Sequence, residues 1–155
     1  MKKVICLSSL LFITTLLVAG PKDSIVHYPL ADSVRAVSFI ASVRMQKLNE
    51  GNKVMTGIQT SQAALLFNEN RKQRTVVFKV PSGGKILVKG LDVKNKGENE
   101  LIWNHDWNNQ ETYKLYITTA ADSAGNFILY SGYVYFKKKK KWKLIGTCKI
   151  NGYDN

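Results

Sequence analysis

Two aromatic-rich segments near the C-terminus, residues 126–136 and 142–150, stand on either side of an uninterrupted run of five lysines at 137–141. Tyr130, Tyr133, Tyr135 and Phe136 on one side and Trp142, Leu144, Ile145 and Ile150 on the other suit a pleated, half-buried surface. A short solvated break between two such runs is the outline of a long β-hairpin. This hairpin commits the chain to a β fold.

Upstream, apolar residues recur mostly with period two, and Gly, Asn, Asp and Pro clusters interrupt them at short intervals. The pattern predicts strands at 25–29, 34–46, 53–60, 63–68, 75–80, 85–93, 112–119, 127–136 and 142–150, with turns at 49–52, 81–84, 95–99 and 122–126. Val34, Val37 and Ala41 also fit a helical stripe. The strand reading is preferred because Val37, Phe39, Ala41 and Val43 alternate with Ser38, Ser42 and Arg44. In 112–119, Tyr113, Leu115 and Ile117 form the inward face, with Lys114, Tyr116 and Thr118 outward. Segment 127–136 is apolar on both faces, the mark of a central strand. Strands without intervening helices pack most simply as two antiparallel sheets, so the expected fold is an all-β, two-sheet antiparallel β-sandwich.

The N-terminus has the order of a secretory signal peptide: Lys2 and Lys3, an apolar stretch from Val4 to Val18, then the small residues Ala19 and Gly20. The apolar run is shorter than the roughly 20 residues a spanning helix needs, so no transmembrane segment is expected after processing. The expected domains are a signal peptide at 1–20 and one sandwich domain at 21–155, in a secreted or periplasmic protein. Without Lys2 and Lys3, 21 basic residues face 11 acidic ones, a formal charge of +10. Cys6 leaves with the signal, so Cys148 has no intrachain disulfide partner. Cys148 reads as a small core residue on one strand face with Trp142, Leu144 and Ile150.

Ordered landmarks run through the chain: Gly57-Ile58-Gln59, then Arg74 to Val80, Trp107, Glu111-Thr112-Tyr113, Tyr130-Ser131-Gly132-Tyr133 and Trp142-Lys143-Leu144-Ile145. Over roughly 34–150 they resemble the secreted bacterial family catalogued as domain of unknown function 3472. The resemblance implies a sandwich of jelly-roll or concanavalin-like type and an extracytoplasmic role associated with glycans. It brings no settled activity. The chain departs from the family at Lys79-Val80-Pro81, and at Lys96 to Asn99 with Leu101-Ile102-Trp103, where relatives carry a glycine-rich loop. A site shaped by that loop is altered here.

Trp103-Asn104-His105-Asp106-Trp107 is the segment richest in chemically capable side chains. Tryptophans stack on sugar rings, and His105 beside Asp106 has the types of a base or a metal ligand. Adjacent strand residues point to opposite faces, however, so the two converge only in a loop. A metal needs three or four ligands, and His27 is the only other histidine. A structural or polar loop is the plainer reading, with no cofactor and no metal expected. Trp107 is assigned to the core, and Trp103 to the surface with His105, Asp106 and Tyr116 as ligand-binding candidates.

The lysine run reads first as a solvated turn that guards an aggregation-prone strand. Its second reading is a patch for anionic partners formed by Lys138, Lys139, Lys140 and Lys143. Outside the cytoplasm the partner would be a polysaccharide or an anionic cell-envelope surface and not nucleic acid, since stacking motifs for single strands are absent. No nucleophile elbow, HExxH, P-loop or cysteine–histidine pattern occurs. Glu98, Glu100, Asp106 and Glu111 cluster in sequence as carboxylates for glycoside hydrolysis, and Tyr113, His105 and Lys114 as bases for a lyase, but no catalytic residue is assigned. The expected function is a non-catalytic carbohydrate- or cell-envelope-binding module. The alternatives are a carbohydrate-active enzyme, lyase or glycoside hydrolase, and a purely structural envelope protein.

Overall fold

Alternation along the chain becomes strand pairing in space. The computed structural model describes residues 37–45, 54–70, 73–121 and 126–151, all within the unit Arg35–Asn155. They form β1 (Ser38–Arg44), β2 (Val54–Gln59), β3 (Ala64–Asn70), β4 (Gln73–Lys79), β5 (Lys85–Lys89), β6 (Lys94–Asn95), β7 (Glu100–Asn104), β8 (Thr112–Ala121), β9 (Phe127–Phe136) and β10 (Lys141–Asn151). There is no helix among the described residues. Two five-stranded antiparallel sheets result, ordered β1-β8-β9-β10-β5 and β2-β3-β4-β7-β6. The protein is an antiparallel β-sandwich. The expected strand at 25–29 and turn at 49–52 lie outside the described residues.

The core fills the space between the sheets. Leu65 and Phe67 of β3, Val76 and Phe78 of β4 and Leu101 of β7 meet Leu115 and Ile117 of β8, Val134 of β9 and Ile145 and Cys148 of β10, all essentially inaccessible to solvent. Leu115, Ile117 and Tyr113 do form the inward face of β8, with Lys114 exposed and Tyr116 and Thr118 half-buried opposite them. In β3 and β4 the other face is buried as well, at Ala64, Leu66, Thr75 and Val77. β9 is the middle strand of its sheet, as expected. Its outward residues Tyr133 and Tyr135 are half-buried.

Two features depart from simple alternation. The strand expected over 85–93 ends at Lys89, because the chain turns at Gly90-Leu91-Asp92, where Asp92 has φ 62°, and β6 follows only at 94–95, outside those bounds. Gly90 donates to the Ile145 carbonyl at 3.0 Å, and a Cβ there would collide with the Leu144 carbonyl oxygen, so only glycine permits this approach. β7 was not expected at all, since its five residues lie between a turn cluster and a polar stretch.

The second feature is a bulge in β10. Leu144 pairs with Tyr133 and Gly146 with Gly132, which leaves Ile145 as an extra residue. Ile145 is fully buried, and a Cβ on Gly146 would strike Leu101 of the core, so both face inward. Alternation on either side is therefore out of phase. Cys148 and Ile150 point into the core, whereas Trp142 and Leu144 point away from it beside Tyr135 and Tyr133. This corrects the expectation that the four share one face. Cys148 itself is buried as expected, and burial raises its thiol pKa to about 11.

Candidate functional site

The bulge puts Trp142 on the outer face of the first sheet, where it joins aromatic residues from two neighbouring strands. Tyr116 of β8 pairs with Tyr133 of β9, and their rings lie 5.9 Å apart. Trp142 stands 5.7 Å from Tyr116 and 5.1 Å from Tyr135. Ile40, opposite Tyr116 on β1, extends the row. Ile40, Tyr116, Thr118, Tyr133 and Trp142 line an open groove of about 380 Å³. Trp142 is 45 % exposed and Ile40 61 %, so apolar and π surface faces solvent directly. Of the sequence candidates only Tyr116 is here.

Registry arranges the face in rows. Trp142, Tyr135, Lys114 and Ser42 lie side by side across four strands; next come Leu144, Tyr133, Tyr116 and Ile40; then Thr147, Ser131, Thr118 and Ser38. Rows two residues apart are separated by about 6.6 Å. The Ser131 and Thr147 hydroxyls are hydrogen-bonded at 2.8 Å. The Lys114 ammonium reaches over the Tyr135 ring at 5.9 Å.

Of the other candidates, Trp103, His105 and Lys143 engage each other. Trp103 is half-buried against the core. Its indole stacks on the His105 imidazole at 4.2 Å, and the Lys143 ammonium sits 4.6 Å from its ring centre. Phe136 meets both Trp103 and His105 edge-on, at 5.7 Å and 5.1 Å. The π surface a sugar would need at Trp103 is already occupied. Burial lowers the His105 pKa, helped by Lys139 and opposed by Asp106 and Glu111.

Asp106 makes its ion pair with Arg74, the centre of a second network. Arg74 of β4 donates to Glu69 at 2.9 Å, Asp106 at 3.2 Å, the Trp107 carbonyl at 2.7 Å and Asn109 at 3.2 Å. One guanidinium thereby pins the β7–β8 loop over the end of the core. Trp107, 1 % exposed, closes that end with its ring edge-on to Phe67 at 5.0 Å. It is the core residue that the sequence suggested.

The lysines divide. Residues 137–140 form the turn, with Lys140 at φ 49°. Lys138 comes within 3.5 Å of Glu111, which also accepts hydrogen bonds from Asn108 at 2.9 Å and from the Tyr113 hydroxyl at 3.1 Å. These bonds hold the Glu111 carboxyl below its usual pKa, led by Asn108. Lys143 lies on the opposite side of β10 from Trp142 and donates to the Leu91 carbonyl, so it does not join an outer patch.

Catalytic chemistry finds little support in this arrangement. Tyr113 is 2 % exposed with its pKa raised to about 12 by burial, unsuited to a lyase base, and Lys114 is on the other face of β8. Glu111 is held ionised, Glu100 pairs with Lys96 at 3.2 Å and Asp106 with Arg74. Among the described residues, no three His, Cys, Asp or Glu side chains converge on a point, and no helix is long and apolar enough to cross a membrane. No family model matches the chain, and no curated protein matches it.

Sequence reasoning missed Tyr133 and Trp142 as site residues. Tyr133 sits in a strand apolar on both faces, and Trp142 changes side only through the bulge. The available signal was the tyrosine alternation itself: Tyr133 and Tyr135 share a face with Tyr116 once β8 and β9 are paired antiparallel.

Proposed function

We propose that this chain is a secreted, non-catalytic carbohydrate-binding module that holds a polysaccharide or cell-envelope glycan on the outer face of its first sheet. The observation that carries the reading is the open groove in which Tyr116, Tyr133 and Trp142 expose their rings beside Ile40 and Thr118. Aromatic faces pair with the C–H faces of pyranose rings, and hydroxyls alongside supply orienting hydrogen bonds. The residues that line it include no carboxylate, imidazole or thiol, which supports binding over catalysis. The signal-like N-terminus and the family resemblance agree with an extracytoplasmic glycan role.

A glycan array with the exported protein tests this. Binding to at least one polysaccharide class is expected, and it should be lost in Trp142→Ala and Tyr116→Ala but kept in Trp103→Ala. Absence of binding across the array would favour a structural envelope protein. Release of reducing ends or unsaturated products from a bound polymer would favour an enzyme.

A further inference from the structure

The sheet that carries the groove contains no acidic residue. β1, β5, β8, β9 and β10 hold not one Asp or Glu, yet they hold seven Lys or Arg, among them Arg44, Lys114 and Lys149. The acids of the described residues lie elsewhere: Glu69 and Glu100 in the second sheet, Glu98 just before β7, and Asp92, Asp106 and Glu111 in loops. Four of them, Glu69, Asp106, Glu100 and Glu111, are engaged by Arg74, Lys96 and Lys138. A strand pattern needs polar residues outward, but it does not need them all cationic. Lys143 faces the other side of the sheet, whereas Arg44, Lys114 and Lys149 are in phase with the outward residues, and cations without acids beside the groove focus an attractive field on an approaching anion.

We propose, building on the carbohydrate-binding reading, that the groove selects an anionic polysaccharide of the uronate class, with Lys114 as the partner of the sugar carboxylate. The row order fits this chemistry. Pyranose rings lie on Tyr116, Tyr133 and Trp142, the carboxylate faces the Lys114 ammonium in the row of Tyr135, and ring hydroxyls face Thr118 and Ser131 on the other side. Lys114 makes no ion pair among the described residues, so its charge is available. The turn lysines raise the encounter rate but do not read the sugar, because Lys138 is held by Glu111 and the rest lie beyond the aromatic rows.

The test compares polygalacturonate with the same polymer fully methyl-esterified, by titration calorimetry on the exported protein. The acid form should bind about tenfold tighter or more, the worth of one charge-assisted hydrogen bond. Lys114→Gln should erase that difference while leaving the ester's affinity and the thermal midpoint unchanged, and Trp142→Ala should weaken both polymers. Equal affinity for the two polymers overturns this inference and leaves the carbohydrate reading standing. Binding to neither polymer, with a neutral glycan bound on the array, does the same; binding to no glycan at all overturns both readings. Binding that survives Trp142→Ala but vanishes when Lys137, Lys139 and Lys140 become Ser, or tighter binding to phosphatidylglycerol vesicles than to polygalacturonate, also overturns it, since charge alone would then suffice.

Discussion

The Trp103 indole lies parallel to the His105 imidazole, with ring centroids 4.2 Å apart and planes 8° from coplanar. Two residues apart at the end of β7, they share a side of the chain, and Phe136 closes against both edges. That setting favours the neutral imidazole.

The sign of the resulting pH dependence follows. Burial, then Lys139, lowers the His105 pKa below its ordinary 6.5, with Lys143 adding and Asp106 and Glu111 opposing. The unfolded chain thus binds the proton more readily, and stability falls as pH drops through 6.5 until the folded pKa is passed. In a His27→Gln background, the one remaining imidazole should titrate below 6.5 by NMR. His105→Phe should flatten the slope of thermal midpoint against pH over the same window; an unchanged slope would assign it elsewhere. Glu111, whose pKa is also depressed, acts at lower pH, so its contribution separates.

Trp107 and Trp142 have opposite roles. Trp107→Ala empties the closed end of the core and should cost about 3–5 kcal/mol in urea denaturation. Trp142→Ala removes cross-strand ring contacts on an open face and should cost at most about 1 kcal/mol. Similar costs for the two would contradict the placement of both.

Arg74 donates to four acceptors from one side chain. Arg74→Met should destabilise by about 1–3 kcal/mol, because the buried Trp107 carbonyl loses its 2.7 Å donor. Arg74→Lys should recover less than half of that loss, since an ammonium has no planar fork. Hydrogen exchange over 105–110 should accelerate in both variants, and unaltered exchange would show that the loop is held by other means.

Gly132 faces Phe78 across the core, where an added Cβ would stand 2.8 Å from the ring. Gly132→Ala should therefore cost about 1–3 kcal/mol through overpacking. In a Phe78→Leu background the same change should cost clearly less, and a double-mutant cycle reads the coupling. Additive effects would mean that the two do not touch.

Cys148 should ignore thiol reagents while the protein is folded. Its thiol is buried and titrates near 11, leaving little thiolate at pH 8. In a Cys6→Ser variant, labelling by a disulfide reagent should track denaturant unfolding. Rapid labelling under native conditions would place the thiol at the surface.

How far the fold was legible depended on where local pattern and tertiary contact agreed. β8, β9 and β10 lie within two residues of their expected bounds because Tyr113, Leu115 and Ile117 alternate cleanly and aromatic residues saturate the hairpin. The break at Gly90 was not legible, since it answers a carbonyl of β10 distant in sequence. Nor was β7, whose Leu101 is the only fully buried side chain among polar and intermediate neighbours. The site suffered most. Trp103, His105 and Asp106 drew attention by residue type, but their partners Phe136, Lys143 and Arg74 come from other strands. Tyr116 was found because its outward position follows from its own strand.

The extra residue at Ile145 makes β10 a strand of two phases, and the face it presents depends on counting from that residue. Deleting it would be a frameshift in space: Trp142 and Leu144 would be driven toward Phe78 and Leu101, and Lys143 would be moved to the outer face. A single-codon deletion there would exchange groove for core, whereas one in the lysine turn would only shorten a loop. Length changes between descendants of this gene should therefore accumulate at 137–141 and be purged at 144–146.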